Sequence, residues 1–138
     1  MISKTFVQSQ KEQCLKRLKE LLKNSETGMT ADRYLEMCEQ LGNEPDPEKI
    51  PPDWDDFPDI VSATFYIFNN LGDRVYPDIG YVGKDYTNLS TYFDVYGIED
   101  KEFALEVLAF LDNEAIKKSS EALKREHEKL KRKHSGRK

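Results

Sequence analysis

Apolar positions recur at helical spacing along most of the chain. Cys14, Leu15, Leu18, Leu21 and Leu22 fall three or four apart with Lys and Glu between them, which predicts a helix over residues 2–23, extended weakly by Phe6 and Val7. The run Asn24-Ser25-Glu26-Thr27-Gly28 reads as its break. A second helix follows Met29. Thr30 suits the N-cap and Asp32 the first turn, Tyr34, Met37, Cys38 and Leu41 share one face, and Gly42 supplies the stop. The pattern from Met29 onward is self-contained. Residues 1–28 therefore read as an added helical extension, and Met29 as a candidate start of a shorter form.

Residues 43–58 hold five of the six prolines: Pro45, Pro47, Pro51, Pro52 and Pro58. Proline lacks an amide proton and keeps its predecessor extended, so this stretch predicts an extended connector, with Ile50, Trp54 and Phe57 as anchors. From Pro58 to Leu71, the residues Ile60, Val61, Ala63, Phe65, Ile67, Phe68 and Leu71 face more than one side, the mark of a central helix. Residues 72–86 read as a Gly-rich loop, although Val75, Tyr76, Ile79, Tyr81 and Val82 also suit one short hairpin. Thr87 or Asn88 caps a short helix to Tyr96, with Leu89, Tyr92, Phe93 and Val95 inward.

Asp100 caps a last helix that runs from Lys101 to Lys133 or so. Its stripe is firm through Phe103, Ala104, Val107, Leu108, Leu111, Ala115 and Ile116, then thins to Ala122, Leu123 and Leu130. Such a helix is roughly 50 Å long, so its second half is expected to project. The expected fold is all-α. A small helical core domain over residues 29–116 gathers Phe65, Phe68, Leu89, Phe93, Leu108 and Leu111 in one core, with a Pro-rich connector and a Gly-rich loop, and a basic helical tail occupies residues 117–138.

Composition and charge sharpen this picture. Hydrophobic residues make up 38% and charged residues 34%, against roughly 45–50% and about 25% in ordinary domains. The core is therefore modest, and much of the chain is solvated or bound to a partner. Residues 30–115 carry 20 acids and only five bases (Arg33, Lys49, Arg74, Lys84 and Lys101), net −15, whereas residues 116–138 carry ten bases and three acids, net +7. An acidic body with a basic helical tail suits a protein that docks on another. Cys14 and Cys38 each fall in a predicted helix and imply no disulfide framework. The N-terminal stretch lacks the apolar run of a signal sequence, and no window approaches the roughly 18 apolar residues of a membrane span.

Several constellations invite a chemical reading and fail on detail. Asp53, Asp55, Asp56 and Asp59 offer oxygen ligands, but Trp54 and Phe57 interrupt them and no EF-hand spacing follows. Gly80-Tyr81-Val82-Gly83-Lys84-Asp85 resembles part of a phosphate loop, yet Asp78 and Asp85 stand where Gly and Ser or Thr are needed. Glycines in a tight connector, with Lys84 pairing a nearby acid, explain it better. His127 and His134 lie seven apart on the tail without companion ligands. No serine sits in a nucleophile elbow. The chain is expected not to be an enzyme, and no cofactor or metal is implied. The tail gives the best binding signal, for an acidic protein partner, with a solvated helix end that frays as the alternative. Nucleic acid is a poor partner for it, because no aromatic residue follows Phe110 and the acidic body repels phosphates.

Three runs carry a family resemblance: Asp55-Asp56-Phe57-Pro58-Asp59-Ile60-Val61, Ile67-Phe68-Asn69-Asn70-Leu71-Gly72-Asp73-Arg74 and Tyr81-Val82-Gly83-Lys84-Asp85-Tyr86. Together with Tyr34 to Gly42 and Ile98 to Lys101, they resemble small proteins of tailed bacteriophages encoded near tail and baseplate assembly genes. The resemblance covers residues 29–133 and leaves the N-terminal extension without a counterpart. It implies a non-enzymatic role as a tail assembly chaperone or minor structural subunit, in the host cytoplasm, with retention in the virion left open. The implied partners are phage tail or assembly proteins. The alternative is a regulator that binds a host or phage enzyme, such as RNA polymerase or a nuclease. The residues expected to meet a partner are Trp54, Asp55, Asp56 and Phe57 on the connector, Arg74, Tyr81 and Lys84 in the loop, and Lys117, Lys118, Lys124, Arg125, Lys129, Lys131 and Arg132 on the tail.

Overall fold

A computed structural model describes residues 8–136, so the part of the first expected helix that includes Phe6 and Val7 lies outside the described residues. The chain divides into two compact units, residues 1–62 and 63–138. Among the described residues no helix is long and apolar enough to cross a membrane.

In the first unit, helix α1 spans Gln8–Thr27 and buries Lys11, Leu18 and Leu21. It runs through the expected break at Asn24. The polar run ends it only at Gly28, which adopts φ +76, while the Met29 amide reaches back to the Asn24 carbonyl at 3.0 Å. Thr27 and Ser25 turn their hydroxyls onto carbonyls of the last turns, so these residues cap the helix where the sequence suggested a break. Helix α2 spans Ala31–Leu41. The Thr30 hydroxyl accepts the Arg33 amide at 3.2 Å, and Gly42, at φ +70, closes the other end. Of its expected inward face only Cys38 is buried; Met37 and Leu41 are exposed. The connector is pinned where the Tyr34 hydroxyl accepts the Asp46 amide at 3.3 Å.

In the second unit, helix α3 (Asp59–Asn70, its first residues belonging to the other unit) leads to strands β1 (Asp73–Tyr76) and β2 (Gly80–Lys84). A short helix α4 (Leu89–Val95) and the long helix α5 (Lys101–Ser135) follow. Asp100 caps α5 by accepting the Phe103 amide at 3.0 Å. The core holds Ile67, Phe68, Leu71, Phe93, Ile98, Phe103, Ala104, Val107, Leu108 and Leu111. Phe65 and Leu89, expected there, are only half-buried, because the buried line of α3 passes through Thr64, Ile67 and Phe68 and leaves Phe65 at its flank. Val95, expected inward, is 72% exposed.

The body is mostly helical, and the all-α expectation is corrected at residues 72–86. That segment forms an antiparallel hairpin, with Asp73 opposite Lys84, Arg74 opposite Gly83, Val75 opposite Tyr81 and Tyr76 opposite Gly80. Val82 is the extra residue of a bulge. Pro77 and Asp78, the latter at φ +68, form the turn closed by the Ile79 amide on the Tyr76 carbonyl at 3.3 Å. β1 is exposed along its length, and β2 carries two glycines, so neither strand shows an alternating pattern. Packing of β2 against α5 supplies what local propensity lacks.

Candidate functional site

The polar residues of the second unit converge where β2 meets α5. Asp112, in the buried half of α5, is 8% exposed. Its carboxylate accepts the Tyr81 hydroxyl at 2.5 Å, the Tyr86 hydroxyl at 2.6 Å and the Lys84 amide at 3.2 Å. Three donors replace water around a buried charge that would otherwise be costly to desolvate. The backbone must come close for this to happen. A Cβ on Gly83 would lie 3.2 Å from Asp112 Oδ2, and Gly83 sits at φ +130, a region side chains rarely adopt. Burial first, then the hydrogen bond to Asp112 and its charge, pushes the phenols of Tyr81 and Tyr86 well above their ordinary range.

Beside it lies a second buried charge. The Lys84 ammonium donates to Asp73 Oδ1 at 2.5 Å and to the Leu71 carbonyl at 3.3 Å, just past the end of α3, and stands 4.6 Å from the centre of the Phe68 ring. Partnering of Lys84 by an acid was legible in the sequence, and Asp73 is that acid, its cross-strand neighbour. One turn beyond Ala115 on α5, the Ser119 hydroxyl accepts the Tyr81 amide at 3.4 Å. Between α5 and the hairpin opens a cleft of about 420 Å3. Phe68, Ala115 and Ala122 supply apolar wall, and Lys84 and Lys118 stand at its rim. Ala115, Lys118, Ser119 and Ala122 share one face of α5 because they lie three or four residues apart.

This arrangement fastens the hairpin to α5. Its carboxylate, phenols and ammonium are engaged with one another, so nothing in it is poised as a nucleophile with a base. Among the described residues no group of His, Cys, Asp and Glu could hold a metal ion.

The structure places the residues singled out from sequence in two sets. Trp54, Asp55, Asp56 and Phe57 belong to the first unit. Residues Trp54–Asp56 form a 3-10 turn in which Asp53 accepts the Trp54 amide at 2.8 Å and Asp56 accepts the Asp53 amide at 2.9 Å. Asp56 also lies 4.0 Å from Arg17, and Phe57 is buried beneath Trp54 with ring centres 6.1 Å apart. Arg74, Tyr81 and Lys84 fall on the hairpin, with Arg74 exposed. Lys117, Lys118, Lys124, Arg125, Lys129, Lys131 and Arg132 are all exposed on α5. Sequence reasoning missed Asp112. A lone acid among Val107, Leu108 and Leu111 on the inward stripe was the available signal. Comparison of the chain with protein-family models, curated proteins and solved structures returned no match.

Proposed function

We propose that this chain is a non-catalytic docking protein of the tailed-bacteriophage assembly kind, acting in tail or baseplate morphogenesis, and that the second half of α5 is its main binding element. One observation carries this reading. From Lys117 to Gly136 every residue is exposed except the half-buried Ser119 and Leu123, while the helix continues unbroken to Ser135. Along this stretch Arg125, Lys129 and Lys133 stack like charges at four-residue spacing, only partly offset by Glu121, Glu126 and Glu128. An acidic protein surface relieves that repulsion and gives the helix a partner to lie on. The sequence resemblance supports the class of partner. The net −15 of residues 30–115 favours a protein surface over nucleic acid.

The test uses the full chain and a chain ending at Leu123, which keeps Ser119 and the hairpin contact. Each is used as bait in extracts of phage-producing cells, and captured proteins are identified by mass spectrometry. Tail or baseplate proteins should be captured by the full chain, lost with the truncated chain and released by salt, as expected for exposed charges screened over about 8–10 Å. Equal capture by both chains refutes the tail as the binding element. Capture of a polymerase or nuclease instead assigns the chain to enzyme regulation.

A further inference from the structure

Helix α2 buries Cys38 and leaves another face open. Asp32, Leu35, Glu36 and Glu39 lie three or four apart along it and so share one side of the helix. All four are exposed, Leu35 to 39%. Asp32 suits the first turn, but Glu39 stands in the last turn, where a carboxylate opposes the helix dipole. Neither capping nor burial accounts for Glu36 and Glu39. The exposed half of α5 carries the counterpart. Leu130 is 54% exposed, seven residues after the half-buried Leu123 on the same face, and Lys129 and Lys131 stand on either side of it. Residues 124–133 hold six bases and two acids, net +4, whereas α2 holds three acids and one base, net −2. Among the described residues Glu36, Glu39, Lys129 and Lys131 form no ion pair. One helix presents a leucine among acids, and the other a leucine between bases.

We infer that these two surfaces meet between copies of this chain, the α5 tail of one copy lying along α2 of a second. Leu130 seats on Leu35, and Lys129 and Lys131 face Glu36 and Glu39. Charge complementarity selects the occupant, because one chain holds both members of the pair and every copy brings each to the other. The tail is helical to Ser135, so it is already ordered for packing against a second helix. The leucine contact supplies apolar burial, and the charges set the register. The contact is small, so the association belongs to the weak and reversible class. The inference rests on the docking reading, in which the tail is the binding element, and names one acidic surface that the tail takes.

Analytical ultracentrifugation of the full chain at low salt tests it. The mean mass should rise above that of one chain as concentration is raised about a hundredfold, and should fall back in high salt. A chain with Glu36→Lys and Glu39→Lys, and a second chain with Lys129→Glu and Lys131→Glu, should each self-associate about tenfold or more weakly, since reversal turns attraction into repulsion. An equimolar mixture of the two variants should recover association, because each offers the charge that the other lacks. All four positions are exposed on helices, and Glu and Lys suit a helix about equally, so the variants keep the fold. A full chain that stays monomeric, undiminished association in either variant, or a mixture that stays monomeric overturns the pairing. If the monomeric full chain still captures phage tail proteins through α5, the pairing falls and the docking reading stands. If neither association nor tail-dependent capture is found, both fall.

Discussion

Asp112→Ala is the sharpest perturbation of the hairpin's attachment. It removes the acceptor of two phenols and one amide, at 2.5, 2.6 and 3.2 Å. A hydrogen bond to a charged acceptor contributes about 1.5–3 kcal/mol, and a buried donor left unpaired costs about 1–3 kcal/mol. The three losses are unequal. Tyr86 is 38% exposed and can turn its hydroxyl to water, whereas the Lys84 amide belongs to a residue only 9% exposed. Counting Tyr81 and Lys84 in full and Tyr86 in part gives a loss of about 3–5 kcal/mol. That is a large share of the roughly 5–15 kcal/mol available to a small domain. Urea denaturation followed by far-ultraviolet circular dichroism measures the total, and amide exchange at Lys84 reports the hairpin alone. Tyr81→Phe supplies the second arm of a cycle. If Tyr81 acts through Asp112, the double variant should fall short of the summed single losses by about 1–2 kcal/mol. A loss under about 1 kcal/mol in Asp112→Ala, or strict additivity with Tyr81→Phe, would refute the idea that this carboxylate fastens β2 to α5.

The same geometry sets three further outcomes. Gly83→Ala places a methyl 3.2 Å from Asp112 Oδ2 at φ +130; it should cost about 2–3 kcal/mol in urea denaturation and speed exchange of the β2 amides. The Thr64 hydroxyl is fully buried without a hydrogen-bond partner, so Thr64→Val, which keeps the shape, should raise stability by up to about 1 kcal/mol. A lower melting temperature would show that the hydroxyl has a partner after all. The phenols of Tyr81 and Tyr86 have raised pKa values, so the folded state favours their neutral form. Their contribution is complete below the ordinary tyrosine value of about 10 and is lost as pH rises above it through the folded values. Phenolate absorbance should therefore show a late-titrating component that shrinks in Tyr81→Phe and disappears on alkaline unfolding.

Much of this fold is legible from short-range signals. Thr30 and Gly42 bound α2 and Asp100 starts α5 because caps act on amides and carbonyls within a turn. The stripe from Phe103 to Leu111 buries itself because helical spacing alone puts those residues on one face. The hairpin was less legible. Its turn chemistry at Pro77 and Asp78 is local, but β1 has no buried face and β2 is ordered by Asp112 and Ser119, 28 and 38 residues away along the chain. The same distance hid Asp112 as an organising residue, since its donors come from a strand and a loop that periodicity does not relate to α5. At Asn24 to Thr27, residues that often break helices cap one instead, because Gly28 takes the left-handed turn and lets the Met29 amide fold back onto the last carbonyls.

The acids and bases of this chain do different work, and that decides what the charge pattern means. Several members of the acidic block are committed to the fold. Asp53 and Asp56 close a 3-10 turn, Asp85 holds Thr87, Asp100 caps α5, Asp73 holds Lys84, and Asp112 binds two phenols and an amide. An excess of acid in residues 30–115 is therefore partly a record of turns and caps, and it does not by itself announce an acidic docking face. The bases of the tail stand differently. Lys124, Arg125, Lys129 and Lys131 are exposed where the apolar stripe of α5 thins, and they are not accounted for by burial, whereas Arg132 stands in the last turn, where a base suits the helix dipole. The two halves of α5 are one helix, and the hairpin is fastened to the first half through Asp112 and Ser119. The cleft floored by Phe68 opens at the point where that fastening stops and the basic surface begins.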